Sequence, residues 1–192
     1  MTSRWTAASE GRLPAGALPS RARKVVLTAH VATAVGWLGA VAAYIALDIT
    51  ATVSEDVQTV RAAYLAMEIS AFYAIVPLAV ASVLIGIVNA LGTSWGLFQH
   101  YWVLVKLLLT LLATTILLVE TQTISVLAEA AAGGVDPREL PGSLVHSVGG
   151  LVVLLVITAM SVYKPRGMTR YGWRKQQQPR PARREQHTAP VP

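Results

Sequence analysis

Four long apolar runs constrain the fold of this 192-residue chain more than any other feature of its sequence. A run of about 20 apolar residues forms a helix that crosses a bilayer core about 30 Å thick. A helix of a soluble bundle would instead show polar residues along one face at every turn. The stretches Leu107–Val119 and Leu151–Tyr163 contain no charged residue. The sequence therefore predicts four transmembrane helices, at about residues 25–47, 66–91, 101–121 and 143–163.

Composition excludes several classes of protein and of catalytic site. The chain is 54% hydrophobic and 14% charged, whereas soluble domains carry roughly 25% charged residues. The four runs leave no room for a separate soluble catalytic domain, which needs at least about 50 residues. The absence of cysteine excludes a disulfide scaffold, a thiol nucleophile and a Cys-ligated metal. No P-loop, nucleophile elbow or zinc-protease motif is present, so we expect a protein that is not an enzyme.

The basic residues predict how the chain is threaded through the membrane. With the N-terminus inside, 14 of the 16 lysines and arginines fall on the cytoplasmic side, and only Arg61 and Arg138 fall outside. Lysine and arginine are enriched in cytoplasmic segments, so both termini are expected in the cytoplasm of a bacterial-type cell. Short loops make successive helices antiparallel neighbours. The predicted fold class is all-α, a polytopic up-down-up-down four-helix bundle in the plasma membrane.

This fold divides the chain into three parts. A disordered basic tail (1–23) precedes the transmembrane domain (24–164), and a basic, Pro/Gln-rich tail (165–192) follows it. Within the domain, small residues are expected to let helices pack closely, since lipid removes the hydrophobic drive between them. Gly36 and Gly39 on the first helix, Gly86 on the second, and Ser143 and Ser147 on the fourth are the candidates. Such rows also permit a homo-oligomer or contact with another membrane protein.

Ionisable residues at membrane depth are the first candidates for a functional site, because burying them is costly. His30 shares a face of the first helix with Trp37, seven residues on. This pair is a candidate cofactor-binding site, and the alternative is a core histidine bonded to a neighbour. A second candidate lies at the outer ends of the helices, where three carboxylates and an imidazole predict a metal or proton-relay site. Its members are Asp48, Glu68, Glu120 and His146. The alternative is that helix ends at headgroups simply carry polar residues.

The cofactor is left open between haem b, copper and none. A haem held by two histidines needs both ligands at nearly one depth. His30 and His146 differ in depth by roughly 15–20 Å, and His30 and His100 by about 9 Å.

The segment after the fourth run mixes basic and aromatic residues. Such a patch attracts anionic headgroups at about 1 kcal/mol per charge near the surface. The predicted lipid-binding residues are Lys164, Arg166, Arg170, Arg174 and Lys175. The expected partners are therefore the bilayer and its anionic cytoplasmic lipids, and no nucleic acid is expected. The alternative is that these charges only retain the C-terminus inside.

Three stretches carry a resemblance: HVATAVGWLGA from His30 to Ala40, QHYWVLVK from Gln99 to Lys106, and the ending YKPRGMTRYGW. They resemble an uncharacterised bacterial family of four-helix integral membrane proteins. The spacing of His30 and Trp37 is also distantly similar to copper-resistance D-type membrane proteins. The resemblance implies the four-helix fold and a membrane location, and it brings no activity with it.

The sequence therefore predicts a small accessory or scaffold protein of the plasma membrane. The alternative is a membrane protein that handles copper, haem or protons through His30 or the outer cluster.

Overall fold

The computed structural model describes residues 19–92, 100–163, 167 and 169–177, and every regular element in this part of the chain is helical. The helices are α1 (Ser20–Val53), α2 (Val57–Ser70), α3 (Val76–Leu91), α4 (Tyr101–Ala132), α5 (Leu144–Tyr163) and α6 (Arg170–Gln177). A π turn (Ala71–Ile75) joins α2 to α3, and a 3₁₀ turn (Pro137–Glu139) lies between α4 and α5.

Four of these helical runs are long and apolar enough to cross a membrane, as the prediction of four transmembrane helices requires. They are α1, the continuous run of α2 to α3, α4, and α5, of 34, 35, 32 and 20 residues. Many large apolar side chains point outward from them, including Val35, Leu84, Leu108 and Val152. An exposed apolar surface of this extent is the surface expected of helices that contact lipid.

The helices continue beyond the apolar runs that predicted them. The first helix begins at Ser20, so residues 20–23 are helical and not part of a disordered tail. Helix α4 runs to Ala132 because the alanine-rich stretch after residue 121 favours helix even where it is no longer strongly apolar. It ends where Gly133 and Gly134 follow, the latter with a φ of 93° that suits glycine. Residues 1–18 of the predicted tail lie outside the described part of the chain.

The second span contains a proline in its interior, where a kink is expected unless a neighbouring group bonds the freed carbonyl. Pro77 has no backbone N–H, so the carbonyl four residues earlier loses its usual donor. Directly before it, the chain widens into the π turn, and the N–H of Val76 donates to the carbonyl of Ala71, five residues back. The perturbation is thus absorbed as a wider helical turn, a common way for a helix to accommodate one. This turn brings Ala71 and Ile75 to the interior of the bundle.

Helix α1 packs against α2, α3 and α5, and α4 packs against α2, α3 and α5. Two clusters of buried side chains fill the interior. The cluster near the C-terminal end of α1 contains Ala51, Val60, Ala63, Tyr64, Met67, Ala71, Ile124, Leu127 and Ala131. The cluster near the middle of the bundle contains Trp37, Val41, Ile75, Ala79, Leu154 and Ile157. Many members are alanine, as expected where helices in lipid pack closely.

Two of the predicted small residues lie where α1 and α3 cross. A Cβ added to Gly36 would lie 3.3 Å from Leu78 Cδ2, and one added to Gly86 would lie 2.9 Å from His30 Cε1. The structure confirms that these glycines permit a close approach. Gly39 differs, since a Cβ there would meet nothing within 4 Å.

Arg138 connects the two loops at the C-terminal end of α1, through a hydrogen bond to the first loop and an ion pair within the second. The guanidinium of Arg138 lies 2.6 Å from the Asp136 carboxylate and also donates to the backbone carbonyl of Glu55 at 3.3 Å. Hydrogen bonds from the Arg138 side chain lower the pKa of Asp136 to about 2. In the first loop, the Asp56 carboxylate accepts a bond of 3.0 Å from the Thr59 N–H and so caps α2. Both loops are therefore ordered by local side-chain to backbone bonds.

Candidate functional site

The carboxylate of Asp48, near the end of α1, is fully buried and bound by α5. It accepts hydrogen bonds from Ser143 Oγ at 2.7 Å and Ser147 Oγ at 2.9 Å, and from the Ser143 backbone N–H at 3.4 Å. Tyr44, one turn earlier on α1, places its hydroxyl 3.4 Å from Ser143 Oγ.

This arrangement follows from the start of α5. The first N–H groups of a helix have no partner within the helix, and a carboxylate beside them is favourable. The first turn of α5 contains no acidic residue. The carboxylate comes instead from Asp48 of α1, which accepts a hydrogen bond from the Ser143 N–H just before α5. Asp48 therefore holds α5 against α1, and its oxygens are engaged by serine donors. Ser143 and Ser147, predicted as small packing residues, are these donors.

Glu120 on α4 and His146 on α5 lie side by side at the same end of the bundle, which we call the Asp48 end. Glu120 Oε1 is 3.8 Å from His146 Nε2, and their side chains are 30% and 61% exposed. The sequence placed both residues in one outer cluster, and the structure brings these two together.

The other members of the predicted cluster do not complete a metal site. Glu68 on α2 is half-buried, and Asp48 is bound by the serines. Within the described residues, no group of three or more His, Asp or Glu side chains is placed to hold a metal ion. The four-residue metal site is therefore not assembled in this structure.

His30 lies far from the Asp48 end. It is 18 residues before Asp48 on one continuous helix, which corresponds to about 27 Å along the axis. Since His146 lies close to Asp48, the two histidines are too far apart to bind one haem iron. The imidazole packs over Gly86 of α3. Its Nδ1 is buried and has no hydrogen-bond partner in the described part of the chain.

Trp37 does not share a site with His30, although both lie on α1. Thr33, between them, donates to the backbone carbonyls of Ala29 and His30 and not to the imidazole. Trp37 is 3% exposed and belongs to the central core cluster.

A cavity of about 340 Å³ lies beside Trp37, within the usual range for small-molecule sites. Its walls come from α1, the π turn, α4 and α5, and most of them are apolar. Glu120, His146, Tyr44, Ser143 and Ser147 form its polar end. Exposed side chains at its rim, Ile116 and Val145 among them, show that it opens on the outer surface of the bundle.

This cavity could not be predicted from the sequence. Two local features of the sequence are related to the cavity. Pro77 lies two residues after the π turn, whose residues Ala71 and Ile75 line the wall. Gly149 and Gly150 on α5 also line it, and a Cβ added to either would meet nothing within 4 Å. A pair of glycines inside an apolar helix leaves space that larger side chains would fill.

The predicted lipid-binding residues are only partly described. Arg170 and Arg174 are exposed on α6, and Lys175 lies in the same helix. Lys164 and Arg166 lie outside the described residues. The segment before α6 contacts the start of α4, since the N–H of Tyr101 donates to the carbonyl of Gly167 at 3.4 Å.

Comparisons of this chain with protein-family models, curated proteins and solved structures find no match. The resemblance to the four-helix membrane family and to copper-resistance D-type proteins therefore stays a prediction.

Proposed function

We propose that this chain is a non-enzymatic accessory protein of a bacterial plasma membrane, and that it binds a lipid-soluble molecule between its helices. The observation that carries the proposal is the apolar cavity of about 340 Å³ with a polar end. A mostly apolar pocket with a few converging polar groups is the usual form of a small-molecule site.

The position of the cavity favours a ligand that arrives through lipid. Its rim includes Ile116 and Val145, which are 47% and 83% exposed on helices that face the bilayer. The cavity wall beside Trp37 is far from either helix end, because α1 extends on both sides of that residue. The cavity thus extends from Val145, at the start of α5, towards the middle of the bundle, so a molecule dissolved in the bilayer reaches its apolar part from the hydrocarbon.

The fluorescence of Trp37, which lines the cavity, tests whether lipid-soluble molecules enter it. The four other tryptophans, Trp5, Trp95, Trp102 and Trp173, are replaced by phenylalanine. The protein is reconstituted in nanodiscs of phosphatidylcholine whose acyl chains carry bromine, a short-range quencher. Quenching of Trp37 is then compared with a non-brominated control.

Gly150→Leu fills the cavity, and we expect it to lower this quenching by about twofold. Gly39→Leu is the matched control, because a Cβ at Gly39 also meets nothing within 4 Å but Gly39 does not line the cavity. It should leave quenching unchanged. Equal quenching in all three proteins would contradict the proposal.

We also propose the up-down-up-down topology with both termini in the cytoplasm, which the basic residues support. The chain has no cysteine, so an introduced one is a unique label. Glu139→Cys should react with a membrane-impermeant maleimide in intact cells, and Arg174→Cys only after permeabilisation. The reverse pattern would overturn this orientation.

In that orientation α6 lies at the cytoplasmic surface. Its exposed Arg170 and Arg174 are four residues apart, and Trp173 between them is 57% exposed. Basic and aromatic side chains together suit the interface of an anionic leaflet. We therefore include anionic lipids among the proposed partners.

A further inference from the structure

The polar end of the cavity carries negative charge. Within the described residues, Glu120 is the one carboxylate that lines the cavity, and no lysine or arginine lines it. The Asp48 carboxyl lies directly behind Ser143 and Ser147 at the same end. A ligand group placed there meets carboxylates, and the basic side chains of Arg170 and Arg174 belong to a helix that follows α5 at its other end.

Glu120 differs from Asp48 in lacking a set of donors. Asp48 accepts two hydrogen bonds from Ser143, which directly precedes α5, and one from Ser147 of α5. Within the described residues, the one group of opposite type placed beside Glu120 is the His146 imidazole, whose Nε2 lies 3.8 Å from Glu120 Oε1. This distance is longer than a hydrogen bond. A carboxylate at the edge of an apolar cavity is costly unless it is paired, so a positively charged ligand group would stabilise it.

Aromatic rings along the cavity also favour a positively charged ligand. Tyr44 and Trp37 line the wall on α1. Aromatic faces carry partial negative charge and attract cations, tryptophan most strongly. The cavity therefore combines a carboxylate, aromatic side chains and aliphatic walls, and these are the groups that bind a cation with an apolar body.

We propose that the cavity binds an amphipathic organic cation, with its charged group at Glu120 and its apolar body between α1 and α5. This inference rests on the proposed function and names the chemical class of the ligand. Position 146 offers a way to test this inference. The His146 side chain lies 3.8 Å from Glu120, so a permanent positive charge introduced there would take the place of the ligand's charged group.

The probes are tetraphenylphosphonium and tetraphenylborate, which have nearly the same shape and opposite charge. Their binding to the full-length protein in nanodiscs is measured by equilibrium dialysis against empty nanodiscs of neutral lipid. We expect tetraphenylphosphonium to bind more tightly than tetraphenylborate. Glu120→Gln should weaken tetraphenylphosphonium binding by about tenfold, because it removes the charged partner. Glu68→Gln, which changes a half-buried carboxylate outside the cavity, should not alter it.

A second variant tests the charge itself. His146→Lys should abolish tetraphenylphosphonium binding, whereas His146→Gln should retain it. A cation affinity that Glu120→Gln and His146→Lys leave unchanged would overturn the inference.

The outcomes separate this inference from the proposed function. Equal binding of both probes, lost in Gly150→Leu, keeps the cavity as a ligand site and overturns the preference for cations. Quenching of Trp37 that Gly150→Leu leaves unchanged overturns the proposed function, and the inference with it.

Discussion

The Asp48 carboxylate accepts a hydrogen bond of 2.7 Å from the Ser143 hydroxyl, which joins the end of α1 to the start of α5 across 95 residues of sequence. The same carboxylate is fully buried and accepts a second bond from Ser147. A buried acceptor of this kind stabilises the native bundle because the carboxylate oxygens and the donors of Ser143 and Ser147 satisfy one another.

Asp48→Ala should therefore lower the free energy of unfolding by about 3 kcal/mol, the upper range for hydrogen bonds to a charged group. The measurement is a denaturant unfolding curve in detergent micelles. Asp56→Ala removes the exposed cap of α2 and should cost only about 1 kcal/mol. If the two substitutions have equal effects, Asp48 does not hold α5 to α1.

Gly86→Ala should destabilise the crossing of α1 and α3. The added Cβ would lie 2.9 Å from Cε1 of the His30 ring, and overpacking of this kind costs about 1–3 kcal/mol. Gly149→Ala is the control, since a Cβ there meets nothing within 4 Å, and it should stabilise the helix slightly. Thermal unfolding of both variants in one detergent checks the difference. Stabilisation by Gly86→Ala would show that the helices do not cross closely there.

Pro77→Ala should convert the π turn into ordinary helix, because it restores the missing backbone N–H. An α-helical turn contains about one residue fewer than a π turn, so the conversion would rotate α2 relative to α3. This rotation would change the cavity wall formed by Ala71 and Ile75. We expect reduced quenching of Trp37 by brominated lipid, with the protein still folded. Unchanged quenching would mean that the π turn does not shape the cavity.

The ion pair of Asp136 and Arg138 predicts a pH dependence outside the membrane. The pKa of Asp136 is lowered from 3.8 to about 2 by hydrogen bonds from Arg138. Because the folded pKa is depressed, the stabilisation by this carboxylate is present above pH 3.8 and is lost as the pH falls towards 2. Arg138→Ala should return the pKa towards 3.8, as followed by NMR of the carboxyl carbon. A midpoint unchanged by the substitution would contradict the assignment.

Much of the fold follows from patterns that the sequence shows directly. Apolar runs of about 20 residues predict helices that cross a bilayer, because a helix of that length spans the hydrocarbon core at a rise of about 1.5 Å per residue. The extension of α1 to Ser20 and α4 to Ala132 could not be predicted from hydropathy, because helix propensity continues where apolar character ends.

The site was harder to predict because it depends on contacts between distant segments. The sequence grouped Glu120 with His146 by depth, and the structure places them 3.8 Å apart. It also grouped Asp48 with them, but it could not show that Ser143 and Ser147 occupy that carboxylate. A cavity is space between side chains of four helical segments, and only their packing shows it.

Native mass spectrometry shows whether the cavity holds a lipid-soluble molecule. Wild-type protein, Gly150→Leu and Gly39→Leu are purified in the same mild detergent with the same added tetraphenylphosphonium. We expect a bound complex for the wild type and Gly39→Leu, and none for Gly150→Leu, whose side chain fills the cavity. Equal retention of the probe by all three proteins would show that it binds elsewhere and would overturn the proposed ligand site.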